Sequence, residues 1–400
     1  MLRRLNGVDI STQANLSERL GCVLSCEVVC SINAPPGRSG SPQMVLSEKA
    51  GRKMTVREAK EIARDWLTAE GAALSGFCGA FFAGSVNWMA PNEVFPSGSD
   101  LDIFIIVDRE DIGTLRTRKF LYRGVVLEPA YYPLDEFESP EAVLSDYRVA
   151  CHLTVPSVIS DPRSVLARIQ PVVLDEYGRR KWIRKRCDAA RDYVAQCITL
   201  GQGAPSPYEL WAGWGCFSTF GPRIAALADL RAPTAKRSLV VSKEVFAKYG
   251  ELPMQERFLR ILGVETMPLA EARVCLDECI AVLDRAIEFH QTPCEGDNFV
   301  SRASRELLIR GVHEMFEAGY HREVINFIDM VFYISLSVIV TDAPEGVRRE
   351  ADGLFRQYMR HHGISREEEH RTRIELARTG LEELMACAER IIRANPSAWD

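Results

Sequence analysis

Along the chain the spacing of apolar residues changes character near position 175. Upstream, short apolar runs at 77–83, 101–107, 125–132 and 153–159 alternate with turn residues, which is the pattern of strands, and a helix fits at 162–174. A further helix is predicted to start at Thr55, because Glu58 follows at capping-box spacing and Val56, Ile62, Ala63, Trp66 and Leu67 supply an apolar face. Downstream of Asp175 the spacing is helical almost to the end, with breaks at 201–207, 231–233 and 292–293 where proline recurs. The longest apolar run, 324–340, carries Asn326 and Asp329 and falls short of the roughly 20 residues that span a bilayer. It predicts a buried helix and no membrane partner. Residues 34–42, Ala-Pro-Pro-Gly-Arg-Ser-Gly-Ser-Pro, favour turns and disorder over packing. The expected organisation is α+β: a disordered extension over 1–53, a mixed-sheet domain with flanking helices over 54–175, and an all-α helical-bundle domain over 176–400.

Composition narrows the class of partner. With 400 residues, 26% charged and a formal net charge of −6, the chain has an ordinary globular balance. It has no overall positive field of the kind that collects nucleic acid. The twelve cysteines show no paired short spacings, as expected of reduced thiols in a cytoplasmic protein. Cys22, Cys26 and Cys30 recur in equal steps of four. They read as incidental thiols before they read as a metal site, because no matching second cluster follows. Nothing here forbids a homodimer.

The chemistry concentrates in the run Ser97-Gly98-Ser99-Asp100-Leu101-Asp102. Side chains alternate along a strand, so Asp100 and Asp102 share a face. Phe104 and Ile106 continue that face, and Ile103, Ile105 and Val107 line the other. Two carboxylates this close repel unless a cation sits between them, an arrangement that suits Mg²⁺. Gly84-Ser85 ends the 77–83 strand in a turn where backbone N–H groups can approach phosphate oxygens. Glu128 lies on the 125–132 strand and can bring a third carboxylate, although Pro129 suggests that the strand ends or kinks there.

Gly84-Ser85, Ser99-Asp100-Leu101-Asp102 and Glu128 together give the sequence a resemblance to the DNA polymerase β-like nucleotidyltransferase superfamily. Within it, the chain is similar to the small antibiotic nucleotidyltransferases of the kanamycin and lincosamide type. The resemblance covers roughly residues 54–196 and departs from the family in a long connection, 86–98, that contains Trp88, Pro91 and Pro96. It implies a nucleotidyltransferase-like sheet domain in which Asp100, Asp102 and Glu128 hold one or two Mg²⁺ ions. Gly84, Ser85 and Ser99 would meet the nucleotide. It further implies transfer of a nucleoside monophosphate from an NTP to a hydroxyl of a small molecule, an aminoglycoside-like one among the candidates, with release of pyrophosphate. A catalytic base is expected from the first helix after the sheet domain, about 176–200, with Asp192 in Arg191-Asp192-Tyr193 the nearest match and Asp188 the alternative.

The residues of that helix leave the choice open. Ile183, Cys187, Ala190, Val194 and Cys197 form its apolar stripe, whereas Lys181, Lys185, Asp188 and Asp192 lie opposite, where they line a cleft or meet solvent. The basic run 179–186 reads first as a solvated face, then as a nucleotide-phosphate contact, and last as an RNA contact. His313-Glu314 lacks the second histidine of a zinc-protease helix, and Arg356 with His361 reads as an exposed basic face. No P-loop and no Gly-x-Ser-x-Gly elbow is present. Two competing expectations remain: a non-catalytic nucleotide-sensing or partner-binding protein on the same fold, and nucleotidylation of RNA or protein.

Overall fold

The computed structural model describes residues 53–400 except 113–114, 116, 205–206 and 293–295. The expected extension up to residue 52, with Cys22, Cys26 and Cys30, lies outside the described residues. Helix α1 (Val56–Ala69) starts with the expected capping box: the Thr55 N–H donates to Glu58 Oε2 at 2.8 Å, and the Glu58 N–H donates to the Thr55 hydroxyl at 3.3 Å. Its buried face is Val56, Ala59, Ala63, Trp66 and Leu67.

Five strands follow: β1 (Phe77–Phe82), β2 (Leu101–Val107), β3 (Phe120–Tyr122), β4 (Val125–Pro133) and β5 (Val158–Ser160). They form one mixed sheet in the order β3-β4-β2-β1-β5, with β2 and β4 parallel and every other pairing antiparallel. The period-two pattern of β2 divides its side chains between two apolar layers. Leu101, Ile103, Ile105 and Val107 pack toward α1, and Ile106 and Phe104 pack toward α2 (Pro140–Ser145) and α3 (Val165–Glu176).

Two expectations are corrected and one strand is added. The run 153–159 is not one strand: Ala150–Thr154 forms a 3₁₀ turn and only Val158–Ser160 pairs, at the sheet edge, because Pro156 interrupts the run and lacks a ladder donor. Strand β3 escapes the apolar pattern because it has only three residues. It forms a hairpin with β4 through Arg123 (φ 47°) and Gly124 (φ 88°), the paired positive φ of a type I′ turn. Pro129 does not end β4, which continues to Pro133 alongside β2. Pairing with β3 stops at Leu127, so from Glu128 onward β4 has one neighbour, the setting in which a strand proline is tolerated.

The rest of the chain is helical: α4 (Arg180–Gln202), α5 (Pro207–Phe220), α6 (Pro222–Ala228), α7 (Ser238–Tyr249), α8 (Leu252–Leu262), α9 (Leu269–Phe289), α10 (Arg302–Glu317), α11 (Ile325–Asp342), α12 (Glu345–Met359) and α13 (Glu367–Ala394). These helices share a hydrophobic core of their own. Helix α11 is long and apolar enough to cross a membrane by composition, but 72% of its apolar window is buried inside the protein. Two of its polar residues are hydrogen-bonded there: Asn326 donates to Ser238 Oγ at 2.8 Å, and Asp329 accepts from Tyr358 at 2.6 Å.

The basic run is not simply a solvated face. Arg186 is fully buried and donates to the carbonyls of Leu144 (2.9 Å) and Tyr177 (2.8 Å), pinning α4 to α2 and to the end of α3. Arg180 and Arg184 pair with Asp400 and Glu389 at the other end of the chain.

The break expected from residue 201 also needs revision, because Gly201 lies within α4, where it faces Gly213 of α5. A Cβ on Gly213 would lie 2.8 Å from the Gly201 Cα, so the two backbones touch where a side chain cannot fit. Gly213→Ala is therefore expected to destabilise the protein by about 1–3 kcal/mol through overpacking, read as a lower midpoint in urea. Gly346→Ala, at a helix position with open space, should leave the midpoint unchanged or raise it slightly.

Candidate metal centre

Strand geometry assembles the centre. Asp102 lies on the Phe104 and Ile106 side of β2, and the parallel register sets Glu128 of β4 directly opposite it. Asp100 sits just before β2, and one carboxylate oxygen from each of the three acids lies within 4.8 Å of the others. This group of Asp100, Asp102 and Glu128 is the one acidic set able to hold a metal ion among the described residues.

Gly84 shapes the floor. At φ 65° it turns the chain out of β1, and a Cβ there would run into the Asp102 carboxylate, so a glycine is required both by conformation and by space. The Ala83 N–H donates to the Asp102 carbonyl at 3.0 Å, which fixes this turn against the acid. Ser85 follows at the start of a 3₁₀ turn, exposed, and Asn87 ties the turn back by donating to the Phe82 carbonyl at 2.7 Å. Ser99 lies directly before Asp100, its N–H donating to the Pro96 carbonyl at 3.2 Å.

Two further residues reach the acids, and a third reaches the backbone beside them. The Lys119 ammonium donates to Asp100 Oδ2 and lies 3.1 Å from Glu128 Oε2, with its side chain 9% exposed. Asn298, in the turn before α10, donates to Glu128 Oε1. Lys236, between α6 and α7, donates to the Gly98 carbonyl at 2.8 Å. Lys236 crosses α10 at Gly311, where a Cβ would collide with its Nζ, and Gly98 itself lies against the Gly311 backbone. Phe299 places its ring 5.0 Å from the Lys119 ammonium.

Burial and charge set the protonation preferences. Burial pushes the Asp102 carboxyl well above its ordinary range, and the charges of Asp100 and Glu128 add to that. Glu128 is also raised, by burial and by Asp100, against the opposing pull of Lys119 and the Asn298 hydrogen bond. For Asp100 the burial penalty is outweighed by the Lys119 ammonium, which holds the carboxyl down at about 2. Burial likewise opposes the charge on Lys119, but Asp100 and Glu128 outweigh it and raise its pKa. Lys236 is lowered, chiefly by burial.

Asp192 does not join this set. It lies on α4 with its side chain 69% exposed, 2.7 Å from Arg191, which also holds Asp188 at 2.8 Å. From the helical part of the chain Asn298 reaches Glu128 and Lys236 reaches the Gly98 carbonyl beside Asp100, both from connections rather than from the first helix. Sequence reasoning missed them, and Lys119 too, because a single polar residue in a connection has no periodicity to mark it. The one available signal was the position of Asn298 beside the break at 292–293.

No family model matches the chain, and no curated protein matches it. The chemistry available here follows from the donor set: three clustered carboxylates suit a hard divalent cation.

A raised Asp102 pKa has a consequence for stability. The native state holds this proton more tightly than the unfolded chain does, so stability falls as pH rises above the ordinary carboxyl value near 3.8 and on toward the raised native value. Below about 3.8 the acid is protonated in both states and the difference disappears. Asp102→Asn is therefore expected to melt higher than the unchanged protein at neutral pH in EDTA, with the gap closing as pH is lowered toward 3.8; a gap independent of pH would contradict this account.

Proposed function

We propose that the protein is a Mg²⁺-dependent nucleotidyltransferase that moves a nucleoside monophosphate from an NTP to a hydroxyl of a small molecule, releasing pyrophosphate. The observation that carries this reading is the convergence of Asp100, Asp102 and Glu128 within 4.8 Å beside the Gly84 turn. Asp100 and Asp102 would hold the cation, with Glu128 completing the set or taking the acceptor's proton. When bound, Mg²⁺ supplies charge neutralisation for the phosphates and for the oxygen that leaves.

The chain's own residues account for orientation. The Gly84-Ser85 turn would offer N–H groups and a hydroxyl to phosphate oxygens, and Lys236 brings a cation to the same rim through Gly98. In-line attack by the acceptor hydroxyl forms the new P–O bond as the bond to pyrophosphate breaks. The acceptor would bind between the sheet and the helices, where Asn298 touches Glu128. An acidic rim suits a cationic, aminoglycoside-like acceptor. The cysteines described are buried free thiols, compatible with work in a reducing cytoplasm.

One observation favours a different reading, a non-catalytic nucleotide-binding module: Lys119 already neutralises part of the acidic set. Calorimetry separates the two, since NTP affinity independent of Mg²⁺ favours the module. Incubation with each NTP, Mg²⁺ and hydroxylated acceptors, aminoglycosides included, is expected to release pyrophosphate. The Asp100→Ala plus Asp102→Ala variant should lose that release by at least about 100-fold. Undiminished release by the double variant, or none from the unchanged protein with any acceptor, refutes the proposal. Label from an NTP that ends on RNA or on protein would move the acceptor to a macromolecule.

A further inference from the structure

We propose that Lys119 is a resident counter-ion of the acidic centre, which competes with the divalent cation for Asp100 and Glu128 and gives way when the cation enters with its nucleotide. The inference rests on reading Asp100, Asp102 and Glu128 as a cation site. It adds a residue of this chain that regulates how that site fills.

Lys119 begins the β3 hairpin, and its ammonium bridges Asp100 Oδ2 and Glu128 Oε2. The other Glu128 oxygen accepts from Asn298, so both oxygens of Glu128 are engaged within the protein. The bridge is enclosed: the Lys119 side chain is 9% exposed and is covered by the Phe299 ring. A divalent cation coordinates carboxylate oxygens at roughly 2.0–2.1 Å, closer than an ammonium hydrogen bond. The two cations therefore cannot share these oxygens without strong like-charge repulsion in a desolvated site.

Displacement needs no refolding, because a lysine head sits on a flexible four-carbon stem. What it needs is another anion, since an ammonium stranded beside Phe299 without a partner is costly. The phosphates of an arriving NTP meet that need. Lys119 thereby couples the two ligands: metal alone must evict an ion-paired lysine, whereas metal with nucleotide supplies the lysine with a new partner. The coupling is reciprocal, so the nucleotide tightens metal binding as much as the metal tightens nucleotide binding.

The test is calorimetric titration of the full chain with Mn²⁺ as the probe, without nucleotide, comparing Lys119→Gln, Lys119→Met and Lys119→Arg with the unchanged protein. Circular dichroism melts establish that each variant is folded, and Lys119→Gln retains a hydrogen-bond donor should Lys119→Met not fold. The neutral variants are expected to bind Mn²⁺ on the order of 5- to 150-fold more tightly, and Lys119→Arg no more tightly than the unchanged protein. Equal or weaker binding by the neutral variants overturns the proposal and leaves the cation site intact. Absence of Mn²⁺ binding in every form overturns both. Tighter binding in the neutral variants with no pyrophosphate released by the unchanged protein supports the counter-ion and refutes the transferase.

Discussion

The parallel pairing of β2 with β4 is the constraint on which the rest depends. It sets Asp102 opposite Glu128 and, with Asp100 one step before β2, crowds three carboxylates at the start of β2 and beside it on β4. Buried like charges are among the costliest arrangements a protein can hold, and much of the surrounding structure addresses this one. Lys119 bridges two of the acids, Asn298 donates to one, and burial raises the Asp102 and Glu128 carboxyls. Each of these responses weakens repulsion without removing the acids. A fold selected for stability alone would replace them with apolar residues.

The same charge explains how the helices meet the sheet. The contacts that reach the acidic rim are polar: Lys236 to the Gly98 carbonyl and Asn298 to Glu128. They depend on close backbone approach, since Gly98 lies against Gly311 and Lys236 crosses α10 where Gly311 has no side chain. Farther from the rim the attachment is carried by Arg186, buried between carbonyls of the preceding segment. Apolar packing holds each core together, and directional bonds fix the helices relative to the acids. That division leaves the rim polar, as an ionic ligand requires.

Local rules are broken where chemistry concentrates. Gly84 adopts a positive φ against a carboxylate, Pro129 sits within a strand, and acids occupy positions that apolar residues would fill. All three lie within one residue of the Glu128 pairing or directly against Asp102. Beyond this point β2 and β4 keep the ordinary alternation of apolar layers, so these features are carried by a regular pair of strands.

Much of the framework was legible in the sequence, because it depends on local periodicity. The bounds of β2, the capping box of α1, the buried character of α11 and the shared face of Asp102, Phe104 and Ile106 all follow from alternation, capping chemistry or apolar run length. Signals that rest on length or on a single residue failed. The three-residue β3 was too short to register, the 153–159 run concealed Pro156, and Gly201 read as a break although it is a helix contact. By itself, the sequence placed Asp102 on one face of a buried strand with Phe104 and Ile106, and Asp100 two residues ahead of it, downstream of a glycine turn. Only the tertiary structure decided that Glu128 stands opposite Asp102, that Lys119, Asn298 and Lys236 converge on the acids, and that Asp192 stays exposed beside Arg191. The reason is physical: facing between residues on one element is set by backbone period. Contact between elements depends on strand register and on how two hydrophobic cores dock, which no local pattern encodes.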